Sequence, residues 1–230
     1  QRQMCIRDRR GTAHDKLWNS EYGQKQKTER DHIYFGTVLE HILLQNLCAF
    51  YDVGEHNEMR LHGADWNDAL DMAWEKGESV AFTCAYAGNL RNIAKTLRQL
   101  EEISGSSKIE IAHEMEDLLA GSVELYEDAA RKQALLAGYA KKCEHNISGD
   151  TIVVRLDQLA ANLEGKADWM MKNIRANEWV KDGEDGWFNG YYDNHGRKVE
   201  GVMDESVRMM LTGQVFAIMS LSLIHISEPT

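Results

Sequence analysis

The segment richest in residue types that do chemistry is Leu61-His62-Gly63-Ala64-Asp65-Trp66-Asn67-Asp68-Ala69-Leu70, followed by Gly77-Glu78-Ser79-Val80. Cleaving a glycosidic bond needs a carboxylic acid to protonate the leaving oxygen, and an aromatic face to hold a sugar ring. Asp68 and Trp66 can supply both from one tight turn. Asp65 and Asp68, three residues apart, also favour keeping one carboxyl protonated, since like charges raise a pKa. A structural reading competes with this one. Asp65 or Asn67 can cap a helix with Asp68 in its first turn, where the helix dipole lowers a pKa unless burial outweighs it. The residues alone leave both readings open.

Other candidates carry less. His56, Glu58 and His62 cluster without regular metal-ligand spacing, and His41 has no second histidine or acid at such a spacing. Arg60 beside the motif is a candidate anion binder, or simply an exposed loop arginine. Met170, Met171, Met209 and Met210 read as core filler. No metal and no organic cofactor is expected.

The two ends obey an unusual relation. Gln3 to Arg9 can be encoded by CAGATGTGTATAAGAGACAG plus one base, and Leu221 to Ser227 by CTGTCTCTTATACACATCT plus two. The second string is the reverse complement of the core of the first, as in a sequencing adapter read from both ends. Residues 1–9 and 221–230 are therefore expected to be translated adapter, and residues 10–220 the protein proper. Pro229, the sole proline, and Cys5 then fall outside it. Proline-free chain can run long helices without interruption. Cys48, Cys84 and Cys143, widely spaced and without a CxxC, suggest buried thiols in a reducing, cytoplasmic compartment. A net charge of −11 argues against nucleic acid as partner. No apolar run of about 18 residues is present to span a membrane.

The elements that must position the motif read as helix after helix. Apolar residues at intervals of three and four predict a helix over 35–51, then a loop over 52–63. A short helix opens at Asp65 and runs to about Trp74. Gly77 breaks it, and a long helix covers 78–103, ending at the Ser104-Gly105-Ser106-Ser107 turn. Further helices are expected over about 108–142, with a break near Gly121-Ser122, and over 156–180. Thr151 to Val154 is a brief strand or a helix start. Residues 182–201, with five glycines and Trp187, Phe188, Tyr191 and Tyr192, read as an irregular loop or small hairpin. A buried helix closes the series over 207–220. The expected fold class is all-α, with polar and aromatic residues pooled in the connecting loops.

The run GADWNDALDMA…GESVAF resembles the DWND-containing catalytic segment of glycoside hydrolase family 94, the cellobiose and chitobiose phosphorylases. Trp187-Phe188-Asn189-Gly190-Tyr191-Tyr192-Asp193 with Leu211 to Ser220 is similar to that family's downstream segment, an aromatic Y-D stretch before an apolar helix beginning at a Gln. Thr37-Val38-Leu39-Glu40-His41 is similar to the helix that precedes the catalytic loop.

The resemblance implies part of an (α/α)6 barrel, truncated at both ends, and an inverting reaction in which inorganic phosphate is co-substrate. It implies Asp68 as general acid and Trp66 against the reacting sugar, with Asp65 and Asn67 beside them as substrate-binding residues. The expected activity is phosphorolysis of a β-linked gluco-type di- or oligosaccharide to a sugar 1-phosphate, with a homodimer kept as an option for the full-length enzyme. The family's phosphate ligands fall beyond residue 220 and its other sugar-binding Arg and Asp before residue 10, and Thr212-Gly213 stays unassigned.

Two alternatives remain. An inverting hydrolase would need a second carboxylate about 6.5–9.5 Å across the ring, for which Asp193, Glu200 and Glu205 are candidates. A helical sugar-binding or scaffold protein would need no acid at all.

Overall fold

The computed structural model describes residues 25–30, 32–63, 68–203 and 206–220. A two-residue strand β1 (Lys27–Thr28) precedes α1 (Val38–Tyr51), which Thr37 caps by accepting the Glu40 N–H. Strand β2 (Met59–Arg60) leads to a 3-10 helix (Asp68–Ala73) and then β3 (Glu78–Ser79). The longest helix, α2 (Val80–Ser104), begins at Ser79, whose hydroxyl accepts the Phe82 N–H, and ends where Gly105 takes φ +67°. A left-handed residue at that position suits glycine, which has no Cβ to clash.

Next come β4 (Lys108–Ala112), a second 3-10 helix (His113–Leu119), α3 (Val123–Tyr126) and α4 (Ala129–Lys142). Strands β5 (Asn146–Ile147) and β6 (Thr151–Arg155) lead into α5 (Leu156–Asn177). A hairpin of β7 (Trp179–Asp182) and β8 (Asp185–Phe188) follows, then β9 (Tyr191–Tyr192). A second hairpin, β10 (Gly201–Met203) with β11 (Ser206–Arg208), precedes α6 (Leu211–Met219).

Helices α2 and α5 form the axis of the core. Cys84, Ala87, Leu90, Ala94 and Leu97 recur at three and four along α2, and Leu159, Leu163, Ala167, Met170 and Ile174 do so along α5. These stripes meet Leu43, Leu47 and Phe50 of α1 in one buried cluster. Placing such side chains away from water supplies the main driving force for the fold, about 1.5–3 kcal/mol for each large one. At Gly88, α2 lies against the end of α6, with Ser220 Cα 3.4 Å from where a Cβ would stand, an ordinary contact distance.

The all-α expectation, and with it the partial (α/α)6 barrel, is overturned by the five small sheets among the described residues. The clearest correction is the helix expected over 108–142. Its first five residues, Lys-Ile-Glu-Ile-Ala, instead pair antiparallel with Thr151–Arg155 in full register. Both segments alternate at period two and carry β-branched residues, a pattern that fits a pleated surface with one side on the core. Ile111 is buried on that side, whereas Val153 is exposed on the other. Similarly, the helix expected to reach residue 180 ends at Asn177, and Trp179 and Val180 pair with Phe188 and Trp187. The fold is mixed: a helical core with short sheets tying its loops together.

Candidate active site

Asp65, Trp66 and Asn67 lie outside the described residues. Asp68 opens the 3-10 helix, and its main chain is all that is described of it. What can be followed is the frame that holds this turn, and it joins the segments singled out in the sequence.

The first fastening is apolar. Leu70, two residues after Asp68, is fully buried in a cluster with Ala81 of α2 and Tyr191 of β9. The second is polar. The Asn194 N–H donates to the Met72 carbonyl at 2.8 Å, and its Oδ1 accepts the N–H groups of Glu75 at 2.8 Å and Lys76 at 2.9 Å. Gly77 completes the turn by donating to Ala73 O at 3.0 Å, in a space where a Cβ would lie 2.2 Å from that oxygen. The third is a three-stranded sheet with β3 in the middle, pairing Glu78 with Arg60 on one side and Tyr192 on the other. The 68–77 turn, the Gly-Glu-Ser run and the aromatic Y-D stretch thus form one unit.

Behind this unit stands a set of buried carboxylates. Glu78 is 3% exposed and accepts from the main-chain N–H of His56 and of Glu58 and from His56 Nδ1. Glu178 accepts from Asn189 Nδ2 and Tyr192 OH and lies 3.4 Å from Lys198 Nζ. Glu58 is fully buried; one oxygen accepts from Asn173 at 3.1 Å and the other has no partner. Burial, reinforced by the charge of Glu178, pushes its carboxyl well above the usual range.

The candidate hydrolytic bases have other duties. Glu200, 2% exposed, accepts from Gly190 N at 2.8 Å and Met210 N at 2.9 Å, so each oxygen holds a different segment in place. Burial raises its carboxyl above the usual range against the pull of those two bonds. Asp193 accepts from the N–H groups of His195 and Arg197 and from the Arg197 guanidinium. Burial works to raise its carboxyl, but these donors hold it below the ordinary range. Glu205 lies outside the described residues. Gln214, the glutamine of the downstream segment, brackets Phe188 by accepting its N–H at 3.0 Å and donating to its carbonyl at 2.7 Å.

His56, Glu58 and His62 do not converge. His56 pairs with Glu78, whereas His62 pairs with Asp52 at 2.5 Å. Arg60 is exposed and 3.9 Å from Asp52. Among the described residues no group of three histidine, cysteine or acidic side chains is placed to hold a metal. No helix among them is long and apolar enough to cross a membrane.

Sequence reading missed a buried lysine pair. Lys132 donates to Asn57 Oδ1 at 2.9 Å, with its ammonium 4.1 Å from the Phe50 ring centre and 4.8 Å from that of Trp169. Lys166 donates to Asn162 Oδ1 at 2.7 Å and Ala120 O at 2.9 Å. Burial lowers both to about 7. Lys166 sits at a regular interval on the apolar face of α5, the one signal that could have exposed it.

With this geometry in view, the chain compares with one class of protein, the phosphorylases. A curated relative, the solabiose phosphorylase of Paenibacillus borealis, is 25% identical over 187 residues. The match covers 80% of this chain and 17% of the relative, so the chain spans about a sixth of that protein's length. No protein-family model matches the chain.

Proposed function

We propose that this chain is the section of a glycoside phosphorylase that carries the general acid. Asp68 protonates the leaving oxygen of a β-linked gluco-type disaccharide or oligosaccharide, Trp66 packs on the reacting ring with Asp65 and Asn67 beside it, and inorganic phosphate attacks the anomeric carbon from the opposite face. The sugar 1-phosphate leaves with inverted configuration. The observation that carries this reading is the similarity to a phosphorylase over 80% of the chain, supported by the way the 68–73 turn is bolted to the 187–194 stretch. Positioning of that kind is what a general acid requires.

Phosphate is its own nucleophile, so no protein base is needed. Glu200 and Asp193 being consumed by main-chain donors fits that economy better than hydrolysis by either of them, Glu205 lying outside the described residues. The test is to incubate the enzyme containing this segment with β-linked disaccharides, with and without phosphate. A phosphate-dependent sugar 1-phosphate is expected, with Asp68→Asn lowering turnover by about 10²–10⁴. Free monosaccharide formed at a rate indifferent to phosphate would replace this reading with hydrolysis. Ligand binding without turnover would leave a sugar-binding protein.

A further inference from the structure

A half-exposed histidine held on three sides is the strongest unassigned feature. His56 Nδ1 lies 2.8 Å from Glu78 Oε1. A carboxylate has no proton to give, so Nδ1 carries the hydrogen and Nε2 is the ring's remaining polar atom. The ring stacks on Tyr192 with centroids 3.7 Å apart and planes 11° from parallel. Gly196 closes its edge, where a Cβ would stand 3.1 Å from His56 Cε1. Fixing one nitrogen of a histidine with a carboxylate and its face with an aromatic ring is how a protein aims the other nitrogen at a ligand.

His56 lines a cleft of about 470 Å³ together with Arg60, Lys76, His195, Glu55, Glu75 and Gly196, the last of which would put a Cβ 3.7 Å from Nε2. Two permanent cations and a second histidine on one wall set are donors suited to a phosphoryl group, which planar guanidinium and ammonium groups recognise by charge-assisted hydrogen bonds. Glu55 and Glu75 would repel that group but can accept sugar hydroxyls. The larger neighbouring cleft, about 760 Å³, lacks such a donor set: no lysine or arginine lines it, and its Asn57 is taken up by Tyr126 O and Lys132.

We propose that the cleft over His56 binds a hexose phosphate, its phosphoryl oxygens on His56 Nε2, Arg60 and Lys76 and its hydroxyls on Glu55 and Glu75. Neutral Nε2 accepts from the P–OH of a monoanion, and as imidazolium it donates to a dianion. The site lies past the far end of the 68–73 helix, is distinct from the Asp68 turn, and does not depend on the phosphorolysis reading.

The 230-residue chain would be titrated with glucose 1-phosphate, glucose 6-phosphate, glucose and inorganic phosphate, while the His56 imidazole resonances are followed by NMR and heats by calorimetry. Both hexose phosphates should shift His56, and His56→Gln should weaken them at least about tenfold. The double variant Arg60→Ala/Lys76→Ala removes two exposed side chains and keeps the result interpretable if His56→Gln unfolds; the same weakening is expected. An unmoved His56, equal binding by the double variant, or glucose alone shifting His56 as strongly would overturn the proposal. So would binding lost in Asp68→Asn and kept in the double variant, which would put the ligand at the Asp68 turn.

Discussion

Asn194 grips the end of the helix that Asp68 begins: its N–H reaches Met72 O at 2.8 Å while its Oδ1 accepts from Glu75 and Lys76. The two partners are more than a hundred residues apart in sequence, so this grip fixes the register of a loop against a distant strand. Asn194→Ala frees two main-chain N–H groups to water and is expected to cost about 1 kcal/mol of stability. Because misplacement by about 1 Å can cost about a hundredfold in rate, turnover of the enzyme containing this segment should fall about ten- to a hundredfold. Asn194→Asp keeps the acceptor and should restore most of it. Steady-state kinetics beside thermal melts check this; an Asn194→Ala enzyme with parental kcat would show the grip to be unrelated to chemistry.

Glu200 ties Gly190 to Met210, and Gln can accept through only one of the two positions its carboxylate uses. Glu200→Gln is therefore expected to lose about 1–3 kcal/mol, since a buried N–H is left facing an amide. The ratio of turnover with and without phosphate should not change, because Glu200 holds segments together and activates no water. Product analysis under both conditions decides it: activity without phosphate that disappears in Glu200→Gln would make this residue a base.

How much of this was legible depended on whether local pattern and tertiary need agreed. The α2 helix, expected over 78–103 and found over Val80–Ser104, could be read closely because an apolar stripe and a glycine turn at its end point the same way. Lys108 to Ala112 could not, because its helical neighbours on both sides hide a five-residue alternation whose partner lies beyond the next three helices. The hairpin over 179–188 was half legible: its glycine-rich turn was seen, while Trp179 and Val180 looked like the end of a helix. Residue types drew attention to the 65–68 motif, whose first three residues lie outside the described ones, and to the aromatic stretch, which packs against the 68–73 turn. Asn194 stayed hidden, since nothing about an asparagine in a loop announces which main chain it will hold, and Glu78 was singled out only as part of its run, without its role as a buried acceptor. The buried Lys132 sits on a helix that is otherwise half-buried or exposed, a setting that gives no sequence signal.

That pair of lysines should leave its mark on stability. Lys132 and Lys166 titrate near 7 in the folded protein, against about 10.4 for an unfolded lysine. Between these values the unfolded chain binds more protons, so folding stability should rise as pH increases from about 7 to about 10. Below about 7 both states are protonated and this contribution is flat. Urea unfolding at several pH values within the window measures the slope. Lys132→Met, which keeps the packing between Phe50 and Trp169, should reduce the slope. A parental slope in that variant would mean that Lys132 keeps its charge inside the core.

Glu58 predicts the opposite trend at lower pH. Its carboxyl is fully buried, burial and then the charge of Glu178 hold its proton, and one oxygen has no partner. The folded state therefore keeps a proton that an unfolded glutamate releases near about 4.3. Stability from this group is complete below that value and declines as pH rises through the folded titration. Glu58→Gln replaces the neutral acid with a side chain of the same shape that cannot ionise, and it keeps the acceptor for Asn173. The variant and parent should be about equally stable near pH 4, and the variant should be the more stable at every higher pH within the window. Matched denaturant titrations across that range test it. A variant that loses stability in parallel with the parent would show that Glu58 is ionised in the core, with the charge of Lys132 helping to hold it so.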